Sequence, residues 1–75
     1  MKCQFGDGKG GSEIRLDQPY TIQECREAVK QHHPLANGAT SENPCNNKCL
    51  CYAEFGMTTW KENNRYLSCM WGTGR

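Results

Sequence analysis

The chain has no long apolar run, no Asn-x-Ser/Thr sequon and no excess of either charge: nine Lys and Arg stand against eight Asp and Glu, for a net charge of +1. Without an apolar run there is no candidate membrane-spanning helix, so no membrane span is expected. Without a sequon, no N-glycan is expected. Scattered, nearly balanced charge gives neither nucleic acid nor an acidic membrane a docking face, and neither is expected as a partner. The first residues, MKCQFGDG, lack the hydrophobic core of a signal peptide, so Met1 is expected to open a mature domain. The eight carboxylates are dispersed along the sequence without an evident acid/base pair, and six cysteines that can all pair leave no thiol nucleophile. No catalytic residue and no cofactor are therefore expected; the chain does not read as an enzyme.

What the chain does have is cysteine. A polypeptide of 75 residues makes at most one domain and buries too little surface to be held by its core alone. Six cysteines, an even number, supply three bridges of the kind formed in an oxidising compartment, which points to a secreted or extracellular protein. Three of them crowd into PCNNKCLCYAEF, as Cys45, Cys49 and Cys51. Structural zinc sites use two separated ligand pairs of reduced thiols, which this spacing does not offer, so no metal is expected. Six cysteines allow fifteen pairings. The preferred set is Cys3 with Cys69, Cys25 with Cys51 and Cys45 with Cys49: a local clip that coexists with two long-range bridges tying the helix and the termini to a sheet.

The clearest element is a helix at about residues 22–33. Thr21-Ile22-Gln23-Glu24 has the form of a capping box, and Pro34 stops the helix. Its apolar stripe is Ile22, Cys25 and Val29, with His32 or His33 below; the two histidines read as a favourable charge at the helix end rather than a metal or proton-relay site. Before it, GDGKGGS lacks the Ser/Thr and helix that should follow the lysine of a phosphate loop, and reads as a flexible surface turn between two short extended pieces. After it, Asn37-Gly38 marks a turn or bulge with positive φ, and SENPCNNKC a polar loop. CLCYAEFGM and RYLSCMW read as strands, separated by the loop TTWKENN. The expected fold class is α+β, a small disulfide-rich domain with one helix on a short antiparallel sheet.

An N-terminal extended segment with a cysteine, the helix TIQECREAV, the strand CLCYAEF and the closing strand YLSCMW resemble, in that order, the PAN/apple family of extracellular modules over nearly the whole chain. The resemblance implies a helix packed on a small antiparallel sheet, with Cys3 and Cys69 tying the termini together and Cys25 bridged to a central strand. The chain departs from the family pattern at Val29, where many such modules carry a second helix cysteine, and in its additional Cys45/Cys49 pair.

Aromatic residues supply the candidate site. Period-two alternation puts Cys51, Ala53, Phe55, Leu67, Cys69 and Trp71 on the helix side of the sheet and leaves Leu50, Tyr52, Tyr66 and Met70 on the other. That second face is covered either by the Gly-rich segment and the 35–45 loop or by a ligand, a second module or a second copy. Trp60, expected to be more exposed than Trp71, stands in a loop beside Lys61, Asn63, Asn64 and Arg65, a group suited to stacking on a sugar or anchoring a protein interface. Trp60, Lys61, Asn63, Asn64, Arg65, Tyr52 and Tyr66 are thus the candidate binding residues. They point to an extracellular recognition or adhesion module, lectin-like in its use of aromatics. Its partner is a protein or a carbohydrate, and neighbouring domains of a larger extracellular protein are possible company. The alternative is a secreted toxin or inhibitor acting through an exposed loop residue such as Lys48 or Lys61.

Overall fold

A computed structural model describes residues 1–72. Five strands and one helix follow in the order β1 (Lys2–Lys9), β2 (Ser12–Arg15), α1 (Ile22–His32), β3 (Gly38–Glu42), β4 (Cys51–Phe55) and β5 (Thr59–Met70). The strands form a single antiparallel sheet in the order β1-β5-β3-β4-β2. The domain is α+β, as its sequence led us to expect.

The helix forms where its caps dictate. Thr21 Oγ1 accepts from the Glu24 amide at 3.1 Å and Glu24 Oε1 accepts from the Thr21 amide at 3.3 Å, closing the capping box. At the other end the His33 amide donates to Val29 O at 2.8 Å, and Pro34 follows. The buried stripe is Cys25, Ala28 and Val29. His32 is exposed and His33 half-buried, its ring edge-on to Phe55 with 5.8 Å between centroids. Neither histidine belongs to the buried stripe, because Ala28, one turn before His32, takes the place against the sheet.

Against that stripe lie Ala39 on β3 and Cys51 and Ala53 on β4, with Leu16 and Ala36 beside them and Tyr20, Phe55 and Trp71 at the margin. Small side chains let the helix approach closely, and the Cys25–Cys51 bridge spans the contact covalently. Cys3 and Cys69, opposite each other in the β1/β5 ladder, form the second bridge, and Cys45 and Cys49 the third. No cysteine is free. These are the pairs preferred from the sequence.

Three sequence readings of loops are overturned. Residues 59–64 are not a loop but the first half of β5, and residues 59–62 are ladder partners of the Gly-rich end of β1. GDGKGG is accordingly no flexible turn: β1 runs through to Lys9, leaving only Gly10 and Gly11 as the link to β2. Residues 38–42, read as turn and polar loop, are β3, the middle strand, and so part of the sheet rather than a lid on it. The positive φ expected at Asn37-Gly38 occurs instead at Gly10 (114°) and Gly56 (68°).

The link between β1 and β2 sets the sheet's curvature. In a flat sheet the two edge strands, four steps apart, would be separated by about 19 Å. Two intervening residues span at most about 11 Å from Lys9 to Ser12. The sheet therefore curls. Beyond Phe5 the β1/β5 register shifts: residues 6–9 pair with residues 62–59, while residues 63–66 of β5 have no counterpart on β1. This kink swings the two-stranded arm, residues 6–9 and 59–62, over the sheet face turned away from the helix. There Ser68 Oγ donates to Gly6 O at 2.7 Å, and a methyl group at Gly8 would stand 2.9 Å from the Glu54 carboxyl carbon.

Candidate binding surface and a buried carboxylate

The register confirms the sequence-based division of the faces. Tyr52 lies opposite Thr40, which lies opposite Ser68; Tyr66 lies opposite Glu42. All belong to the concave face. Tyr52 and Tyr66 are half-buried there, diagonal to one another across β3, and burial raises the Tyr52 phenol above its usual value, with Tyr66 adding to the effect.

The seven candidate residues occupy three places, and the five expected in one loop are divided between the arm and the kink. Trp60 and Lys61 are on the arm. Trp60 is half-buried, with the Lys2 ammonium 5.7 Å from its ring centroid; Trp71, also half-buried, packs at the core margin with Lys30 at 5.0 Å. Lys61 is exposed, opposite Asp7. Asn63, Asn64 and Arg65 form the kink, and Tyr52 and Tyr66 lie on the concave face. Asn63 folds the kink locally, its Oδ1 accepting from the Arg65 amide at 2.9 Å. Asn43 pins it from β3's end: its amide donates to Arg65 O and its Nδ2 to Asn64 O, each at 2.7 Å. Between kink and strand end lies a recess of about 350 Å³, lined by Glu42, Asn43, Pro44, Arg65 and Tyr66. Arg65 and Tyr66 are thus brought together with three residues that the sequence reading did not select.

The structure also assembles carboxylates that look dispersed in the sequence. Asp7 on β1, Glu13 on β2 and Glu54 on β4 converge, each with a carboxylate oxygen within 4.8 Å of the others. Lys9 reaches Asp7 at 3.2 Å, and that contact raises the ammonium pKa. Glu54 is only 3 % exposed. Its Oε2 is 2.7 Å from Thr40 Oγ1, which is 2.8 Å from Ser68 Oγ. Burial foremost, with Glu13 and then Asp7 adding to it, pushes the Glu54 carboxyl up to about 8. No sequence spacing signals this cluster, since its members come from three strands; only the polar parity of Glu54 with Tyr52 hinted that it faces away from the helix.

Comparison of the chain with protein-family models, curated proteins and solved structures finds no match in any of the three.

Proposed function

We propose that the protein is a non-catalytic extracellular recognition module, PAN/apple-like in kind, that binds a protein or glycan ligand at the β5 kink. The observation that carries this reading is the recess at that kink. It sets an aromatic ring (Tyr66), a guanidinium (Arg65), a carboxylate (Glu42) and an amide (Asn43) around one concavity of about 350 Å³. A ring to stack on, with hydrogen-bonding groups of both polarities beside it, suits a sugar or a polar peptide segment. Both Asn43 hydrogen bonds hold the kink in place before any ligand arrives, which lowers the ordering cost of binding. Three disulfides are typical of extracellular proteins and agree with that setting.

The test is an amide-resolved NMR titration of the full chain with neutral and acidic oligosaccharides. Shift changes are expected at Asn43, Arg65 and Tyr66. Tyr66→Ala should weaken binding at least about tenfold, a loss of about 1.4 kcal/mol, with little change in melting temperature. Binding that maps elsewhere, or that survives Tyr66→Ala, overturns the assignment. An inhibitor role has one observation in its favour: Lys48 is exposed within the short loop closed by Cys45–Cys49, and that loop is anchored by paired backbone bonds between Tyr20 and Cys49 at 2.9 and 3.0 Å. Under that reading Lys48→Ala, not Tyr66→Ala, abolishes activity.

A further inference from the structure

Three oxygen–oxygen contacts run in series across the concave face. Glu54 Oε2 is 2.7 Å from Thr40 Oγ1, Thr40 Oγ1 is 2.8 Å from Ser68 Oγ, and Ser68 Oγ is 2.7 Å from Gly6 O. At such distances each contact holds a proton between its oxygens. The two hydroxyls contribute one proton each, and the Gly6 carbonyl contributes none. If Glu54 is ionised, three contacts share two protons, and one contact sets lone pair against lone pair. Thr40, Glu54 and Ser68 are 1 %, 3 % and 0 % exposed, so bulk solvent does not relieve that contact. A neutral Glu54 completes the count: Glu54 donates to Thr40, Thr40 to Ser68 and Ser68 to Gly6.

We propose that Glu54 is the proton-holding end of a clasp that fastens the β1/β5 arm across the sheet, and that loss of its proton as pH rises releases residues 6–9. Around Glu54 stand Asp7 and Lys9 from β1 and Glu13 from β2. The side chains that approach from β3, β5 and the turn before β5 are those of Thr40, Ser68 and Met57. Lys9, the ammonium near Glu13 and Glu54, is already engaged by Asp7 at 3.2 Å, so a charge on Glu54 would add to the carboxylate charge around it. The nearby Glu13 and Asp7 carboxylates therefore favour a proton on Glu54. Below the usual glutamate value, both the folded and the unfolded chain are protonated and the clasp is fully present. As pH rises from there toward about 8, the unfolded chain gives up the proton first, so stability falls across that window and levels off above it.

The clasp is tested on the full chain with glutamate side-chain carboxyls labelled with ¹³C. One resonance is expected to titrate near pH 8, far from exposed glutamates at about 4.3, and to vanish in Glu54→Gln. Melting temperature, measured from pH 5 to 9 in a chelator, should fall with pH. It should stay level in Glu54→Gln, whose amide donates to Thr40 at every pH. Hydrogen exchange at the Gly8 and Trp60 amides, corrected for base catalysis, should quicken at least about tenfold above pH 8 in the parent alone. A Glu54 midpoint near 4, a parent melting temperature that does not fall, or a variant as pH-dependent as the parent overturns the clasp. So does a calcium-dependent rise in melting temperature at pH 8, which would mean that the three carboxylates take a cation in place of the proton. If Glu54→Gln does not fold, the parent's carboxyl titration and exchange rates decide alone.

Discussion

At the scale of single residues, the concave face is built by subtraction. Gly8 and Gly38 are buried where the arm and the start of β3 come close to Glu54 and Met57, and neither has a positive φ. Their role is lack of volume. A methyl at Gly8 would lie 2.9 Å from the Glu54 carboxyl carbon and 3.1 Å from Met57 Sδ, both in a closed space. Gly8→Ala is therefore expected to destabilise the domain by about 1–3 kcal/mol, the usual penalty of overpacking. Denaturant unfolding measures it, and a variant as stable as its parent would show that the arm does not close on the sheet. A reader of GDGKGG sees conformational freedom, because glycine's other use, letting two surfaces touch, leaves no local mark in the sequence. Glu54 is illegible for the same reason: its neighbours Asp7 and Glu13 arrive from strands whose pairing depends on the whole sheet.

Among the elements, legibility followed how much each owes to its own residues. The helix carries its start and stop signals within Thr21 to Pro34, and both worked. β4 and the end of β5 alternate apolar and polar residues because one face meets the helix, and they too were readable. β3, GATSE, has no bulky β-former; it is a strand because β4 and β5 pair with it on both sides. The first half of β5 is polar because it pairs only with the Gly-rich arm of β1. Of the candidate binding residues, alternation placed Tyr52 and Tyr66 on the observed face, whereas the kink that groups Tyr66 with Asn43 and Glu42 depends on a register shift invisible in either strand alone. The Cys45–Cys49 clip is the most local of the bridges, closing a separation of 4 residues outside the helix–sheet core. Replacing both cysteines by serine should leave a folded protein, destabilised by about 2 kcal/mol, as judged by a thermal melt. Failure to fold would make the clip part of the framework rather than a loop support.

For the molecule as a whole, the strongest covalent constraint is the one that joins its ends. Cys3–Cys69 closes a sequence separation of 66 residues and lies within a ladder rather than at a loop. In the chain-entropy account, Cys3→Ser with Cys69→Ser removes about 4 kcal/mol, roughly twice the cost of losing the clip. That approaches the net stability of a domain this small. Guanidinium titration of the two double variants side by side should give this order, and the reverse order would mean that strain outweighs loop closure in the long bridge.

The two-residue connection at Gly10 and Gly11 has a consequence for how the molecule meets its own kind. An open sheet offers two rows of unpaired backbone groups, and two such rows invite identical molecules to add strand upon strand into a growing ribbon. Here the chain ties its two outermost strands to each other at one rim, with the Thr58 amide donating to Lys9 O at 3.0 Å beside the crossing. An incoming strand laid along β1 from that rim runs at once into β2 and the turn ahead of β5. A long flat ribbon of copies has no straight edge from which to start, and a sheet too small to shield its flanks with helices is guarded by the shortness of one loop.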